Sequence, residues 1–222
     1  MKNKFGIILT PVGPFGGAQR RFTNLFNSLY VKYPENIYYF VSHDLYNKIF
    51  NMYPGYNMVN VIPIGKKELI KNKSIVNNDS GQINKFNLKK AEPDILRKIS
   101  RYLKSFLSNY FVFNEIKKYQ KKFNINVFMG VYSGIIPLYF YLRSKKKETG
   151  IIFCDMDSWF SEVLPKEKKY WYRKYSSFNY ALENSDYVDF LSPFILEGVK
   201  ERGIKIKDES VSITPCSFTD YS

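Results

Sequence analysis

Short apolar runs alternate with helix-like segments from one end of this chain to the other, and that alternation constrains the fold more than any other feature. The runs occupy residues 5–9, 38–41, 59–64, 127–131, 151–154, 187–191 and 211–213. Helical segments are predicted to begin near Ala18, Leu45, Asp94, Ile135, Lys166 and Phe194. In the first run Phe5, Ile7, Ile8 and Leu9 leave no polar face, the pattern of a strand covered on both sides. Strands separated by helices pair in parallel, because each crossover carries the chain back to the starting edge of the sheet. The chain is therefore predicted to be α/β. It would form a single Rossmann-like α/β/α domain over residues 1–222, with a mostly parallel sheet of about six to seven strands.

In open sheets of this kind, ligands bind beyond the carboxyl ends of the strands. Those ends fall at residues 11–17, at Ser42 and His43, at Ser133 and Gly134, at residues 155–158, at Ser192 and at residues 215–217. Small and polar residues recur there, as a polyhydroxyl ligand requires, although they are common in any loop. The first of these ends holds Gly13, Gly16 and Gly17 between a buried strand and a helix. Glycine lets a ligand come close to the main chain, and the helix behind it presents free N–H groups and a positive dipole end. A phosphate or a nucleotide diphosphate suits that geometry. The spacing is neither the dinucleotide fingerprint nor a P-loop, so an ordinary strand-to-helix turn is an equal alternative on these residues alone.

The net charge is +14, from 34 Lys and Arg against 20 Asp and Glu. Such a balance favours polyanions: nucleic acid, anionic membrane or phosphorylated substrates. A compositional reading competes, because Lys, Ile, Asn, Tyr and Phe abound and only Ala18, Ala91 and Ala181 represent alanine, as in a gene biased toward A and T. No apolar run approaches the roughly 20 residues of a membrane span. Met1-Lys-Asn-Lys leads straight into the first strand with no signal peptide, and Cys154 and Cys216 lack metal or disulfide spacing, which fits a reducing cytoplasm.

Several local groupings carry candidate chemistry. Asp155-Met-Asp157-Ser-Trp159 follows a strand directly. Its carboxylates could hold sugar hydroxyls with the indole stacked on a pyranose, or one could cap the next helix while Trp159 fills the core. His43 is the lone histidine, which argues against a histidine-rich metal site and a histidine-dependent triad. In the helix from Asp94, residues Ile95, Ile99, Tyr102, Leu103, Phe106, Tyr110 and Phe113 keep a 3.6-residue period, with Arg97, Lys98, Arg101 and Lys104 opposite. The expectation is a core-packed helix with a solvated basic face; the functional alternative rests that face on anionic lipid. Residues 166–174 mix basic and aromatic side chains and offer a second such surface. Residues 65–93 are polar and aperiodic and are predicted to form a long loop.

Three segments, in order, resemble a known family. Gly16-Gly-Ala-Gln-Arg-Arg-Phe-Thr-Asn-Leu resembles the Gly-Gly-Ala-Glu-Arg opening of family 4 glycosyltransferases of the GT-B fold. Asn184-Ser-Asp-Tyr-Val-Asp-Phe-Leu-Ser is similar to their Ala-Asp-x-Val-x-x-x-Ser strand, and Ser210-Val-Ser-Ile-Thr-Pro-Cys-Ser-Phe to the strand that leads into their interdomain linker. Cys216-Ser217 stands where that family has Asn-Gly, and the Asp155-Met-Asp157 element stands where it usually has an acceptor-side histidine. The resemblance implies the amino-terminal, acceptor-side half of an enzyme whose donor-binding domain lies outside these residues, so that this half alone is expected to be inactive. It implies retaining transfer of a sugar from a nucleotide-sugar to a saccharide or lipid-linked hydroxyl acceptor, in bacterial polysaccharide or glycan synthesis. The implied parts are Gly13, Gly16 and Gly17 as the donor-phosphate loop, Ser133, Trp159 and Arg20 toward the acceptor, and Asp157 and Asp155 as catalytic carboxylates. No metal, cofactor or nucleic acid is implied. The location would be cytoplasmic, with peripheral contact on the inner face of the membrane through residues 97–104 and 166–174. The alternative from a different class is a non-catalytic module that binds polyanions or nucleic acid through the +14 charge.

Overall fold

A computed structural model describes residues 3–10, 16–53, 55, 56, 58–65, 94–144, 149–156 and 177–214. The elements run β1 (Phe5–Leu9), α1 (Gly17–Lys32), β2 (Ile37–Ser42), α2 (His43–Met52), β3 (Val61–Ile64), α3 (Asp94–Phe123), β4 (Val127–Val131), α4 (Ile135–Leu142), β5 (Gly150–Met156), α5 (Ser177–Asn184), β6 (Tyr187–Phe190), α6 (Pro193–Glu201) and β7 (Val211–Ile213). A 3₁₀ turn, Tyr132–Gly134, joins β4 to α4. The seven strands form one sheet in the order β3-β2-β1-β4-β5-β6-β7. Every adjacent pair is parallel. The alternation in the sequence is thus an α/β sheet of the Rossmann type, and it is parallel throughout.

Burial of β1 from Gly6 to Leu9 follows from its place between β2 and β4 with helices on both faces. Ile8 joins a core with Phe40, Phe128, Ile116, Ile135 and Phe153, under α3 to α6. Ile7 and Leu9 face the other way, into a core with Phe22, Phe26, Leu45 and Ile49 from α1 and α2. Successive side chains of a strand point to opposite sides, so an unbroken apolar run is what two covered faces demand. Ser42 caps α2 by accepting from the Leu45 N–H at 3.3 Å, and Ser192 caps α6 by accepting from the Ile195 N–H at 3.4 Å, with Pro193 in the first turn.

The long helix departs from its expected packing. Leu103, Phe106, Leu107, Tyr110 and Phe111 are exposed, between 41% and 62%, whereas Ile116 is fully buried, with Val112, Tyr119 and Phe123 packed against the same core. The period was legible, but it does not mark a core face over residues 103–110. The reason is length. Thirty residues make a helix about 45 Å long, whereas strands of five to seven residues cross about 17–23 Å. Only the carboxyl-terminal part of α3 has a sheet to lie on. The side chains of residues 94–102, the predicted loop over 66–93 and the helix expected from Lys166 lie outside the described residues.

The aromatic core gives the fold an alkaline limit. Burial pushes the phenols of Tyr39 and Tyr141 far above their ordinary value near 10. Burial does the same for Tyr56, helped by Tyr39 and Tyr53, and its hydroxyl donates to the Thr23 carbonyl at 2.6 Å. In the native state these groups keep their protons where the unfolded chain would lose them. Their contribution is complete below about pH 10 and falls as pH rises beyond it. The melting temperature should therefore drop between about pH 9 and about pH 11. A Tyr39→Phe, Tyr141→Phe double variant should show a shallower drop in the same circular-dichroism melts. An unchanged slope would remove these residues from the explanation.

Candidate functional site

The strand order reverses between β1 and β4: from β1 the chain steps outward to β2 and β3, and from β4 outward to β5, β6 and β7. A crevice opens at such a switch point, because the helices that follow the two strands lie on opposite faces of the sheet. Leu9 pairs with Val131 at the carboxyl edge. Beyond Val131, Tyr132 takes a left-handed φ of 49°, turning the chain sharply out of the strand. The turn sets Gly134 against the backbone of β1, so close that an added Cβ would lie 2.1 Å from the Ile8 carbonyl oxygen. Ser133 is half-buried between them.

Helix α1 supplies the other wall. The Gly16 N–H donates to Gln19 Oε1 at 3.0 Å, and the first intrahelical bond is donated by the Arg20 N–H to the Gly16 carbonyl at 3.1 Å. The Gly17 N–H precedes that bond. The first turn carries no acidic residue. Among the described residues, an added Cβ on Gly17 would meet nothing within 4 Å, beside the positive end of a sixteen-residue helix. Arg20 is exposed one turn in. Arg21 places its guanidinium 5.4 Å from the Phe22 ring centre and donates a long bond, 3.5 Å, to the Thr214 carbonyl.

Of the residues singled out in the sequence, Gly16, Gly17 and Arg20 lie at the start of α1, the helix that follows β1, and Ser133 lies in the turn directly after the neighbouring strand β4. Asp155 lies in β5 one step past the Cys154–Val131 pair, and its side chain is outside the description. Gly13, Asp157 and Trp159 fall outside the described residues. His43 is half-buried in the first turn of α2. Among the described residues no cluster of His, Cys, Asp or Glu could hold a metal ion, and no helix is long and apolar enough to cross a membrane.

The sequence reading passed over Asp189. Buried in β6, its carboxylate accepts from Ser212 Oγ and Thr214 Oγ1, both at 2.7 Å, and from Cys154 Sγ at 3.3 Å. It ties together the carboxyl ends of β5, β6 and β7. The available signal was a lone acid within the apolar run Tyr187-Val-Asp-Phe, since a buried carboxylate must find donors.

A cavity of about 570 Å³ lies at the opposite, amino edge, between α3 and α4, lined in part by Lys117, Lys121 and Phe140. Three of its polar side chains satisfy one another: Gln120 Nε2 donates to Thr149 Oγ1 at 2.6 Å, and Gln120 Oε1 accepts from the Tyr141 hydroxyl. The carboxyl-edge crevice differs in offering a helix amino terminus to a ligand, and it is the stronger candidate for an anionic one.

No protein-family model and no curated protein matches the chain. Among solved structures it is similar to Anabaena Alr3699/HepE, determined in complex with UDP, at a TM-score of 0.53 and 9% sequence identity. The similarity covers 98% of this chain and 44% of that one, so this chain spans less than half the length of that protein. What the two share is the fold.

Proposed function

We propose that this chain is the acceptor-side half of a GT-B glycosyltransferase, moving a sugar from a nucleotide-sugar to a hydroxyl acceptor. The observation that carries it is the amino terminus of α1, the helix that follows β1, where an added Cβ on Gly17 would meet none of the described residues within 4 Å. The fold likeness to a UDP-bound protein supports it. When the glycosidic bond to the nucleotide breaks, negative charge grows on the leaving diphosphate. Backbone N–H groups and a helix dipole fixed in place stabilise that charge with no reorganisation. The Gly16–Gly17 turn would approach the diphosphate. Ser133, Arg20 and Trp159 would face the acceptor, a saccharide or a lipid-linked sugar, and Asp157 and Asp155 would orient its hydroxyl. Transfer would retain the anomeric configuration and serve bacterial polysaccharide or glycan synthesis, in the cytoplasm or at the inner face of the membrane. Catalysis of this kind needs two surfaces closed on one substrate, so this half alone would bind weakly and turn over negligibly.

Titration of ¹⁵N-labelled protein with UDP and with inorganic pyrophosphate tests the site. Both should shift the amides of Gly16, Gly17, Arg20 and Ser133, with dissociation constants of roughly millimolar order. Shifts spread over the lysines of α3 would favour a polyanion-binding module instead. Unmoved crevice amides at about 10 mM ligand would sink the proposed function.

A further inference from the structure

We propose that the outward face of α3 seats the protein on an anionic lipid bilayer. Leu103, Leu107 and Tyr110 precede Val112, Ile116 and Tyr119 by nine residues each. At 100° per residue, nine steps place them about 180° round the helix from the side that meets the core. Phe106 and Phe111 flank them, and all five are exposed. Phe106 and Tyr110 also lean edge-on against Phe140 of α4, at 5.3 and 5.4 Å between ring centres, which fixes the patch to the body of the domain. Leu103, Leu107 and Phe111 are therefore turned to solvent beside those ring contacts, and a cluster of leucine and aromatic side chains on one surface marks an interaction site.

The charge on the helix selects the occupant. The thirty residues of α3 carry eight Lys and Arg against two Asp and Glu, a ratio of four to one, whereas the whole chain has 34 against 20. Lys104 is exposed beside the patch, and Lys117, Lys118, Lys121 and Lys122 are exposed along the turns that follow. Glu115, the only acid between residues 103 and 123, is turned inward and accepts from the Gly65 N–H at 2.9 Å. A second copy meeting this face would set lysines against lysines with no carboxylate between them. A nucleic-acid backbone would pair with the lysines and leave the leucines in water. A bilayer interface takes both: leucine and phenylalanine enter the acyl boundary, tyrosine stays at the headgroups, and lysines snorkel to lipid phosphates. Seating of this kind is independent of sugar transfer, and its failure would leave the proposed function standing.

The test is co-sedimentation with vesicles of phosphatidylcholine, alone or with roughly one-third phosphatidylglycerol. Binding is expected to the mixed vesicles at low salt, to weaken as salt rises, and to be slight with phosphatidylcholine alone. Leu107→Asp with Phe111→Asp should lower vesicle affinity at least about tenfold, and Lys117→Glu with Lys121→Glu comparably. Lys205→Glu with Lys207→Glu, the same change of charge beyond α6, should have little effect. A wild-type protein that stays in the supernatant with both lipids would overturn the proposal, as would equal losses in the α3 and control variants. A fluorophore on Leu107→Cys, in a Cys216→Ser background, reports on the intact face. Its emission should shift to the blue only when mixed vesicles are added. A blue-shifted label without vesicles, or one indifferent to them, would mean that the chain itself or a second copy covers the patch.

Discussion

Gly134→Ala is expected to destabilise the domain by about 4 kcal/mol or more, enough to prevent folding near physiological temperature. The added methyl would lie 2.1 Å from the Ile8 carbonyl oxygen and 2.8 Å from its carbon. Overpacking in a core commonly costs about 1–3 kcal/mol because flexible side chains give way. Here the obstacle is backbone. Ile8 sits in an interior strand, paired with Phe40 on one side and Gly130 on the other, so moving its carbonyl would distort two ladders at once. The φ of Gly134 is −61°, ordinary for any residue, so the cost is one of space and not of conformation. Gly17→Ala is the internal control, because its methyl would meet none of the described residues. Urea unfolding followed by circular dichroism would separate the two. A Gly134→Ala protein that unfolds within about 1 kcal/mol of the parent would mean that β4 does not turn against β1 as described.

The same pair of strands shows how much the sequence could reveal. The limits of β1 and β4 were legible to the residue because apolar side chains end there on both faces of the sheet. The run from Val59 was read two residues long, since Val59 is exposed ahead of the strand that starts at Val61. Periodicity found α3, but over residues 103–110 the side it named stays exposed, with Phe106 and Tyr110 touching Phe140 of α4 and not the sheet core. A helical period reports that one side is apolar and says nothing of what meets it; that depends on a sheet too short to reach. Asp189 escaped because its partners, Ser212, Thr214 and Cys154, come from two other strands, and register is a three-dimensional fact. The crevice was legible as a place, the carboxyl ends of β1 and β4. The contact of Gly134 with Ile8 was not, because it depends on the left-handed turn at Tyr132, and no glycine or asparagine stands there to announce it.

Gly17→Val is expected to leave the fold intact and to remove ligand binding. Gly17 is exposed at the first position of α1, and an added Cβ would meet none of the described residues within 4 Å. Helix propensity there changes by a few tenths of a kcal/mol, which would move the melting temperature by about 2 °C or less. The branched side chain would instead fill the approach to the leading N–H groups of the helix. A diphosphate held back by about 1 Å loses both its hydrogen bonds and most of its benefit from the dipole end, an effect confined to the first turn. UDP affinity should fall at least about tenfold. Sugar transfer, in a protein that joins this half to its donor-side half, should fall by roughly a hundredfold, since misplacement of that size has that effect on a reacting group. Gly17→Ala should lie between, its single methyl narrowing the space without closing it. Calorimetric titration with UDP, paired with a melt of each variant, reads both quantities. Undiminished affinity in a folded Gly17→Val protein would place the diphosphate away from α1, and a melt lowered by many degrees would mean that the space beside Gly17 is filled by the chain itself.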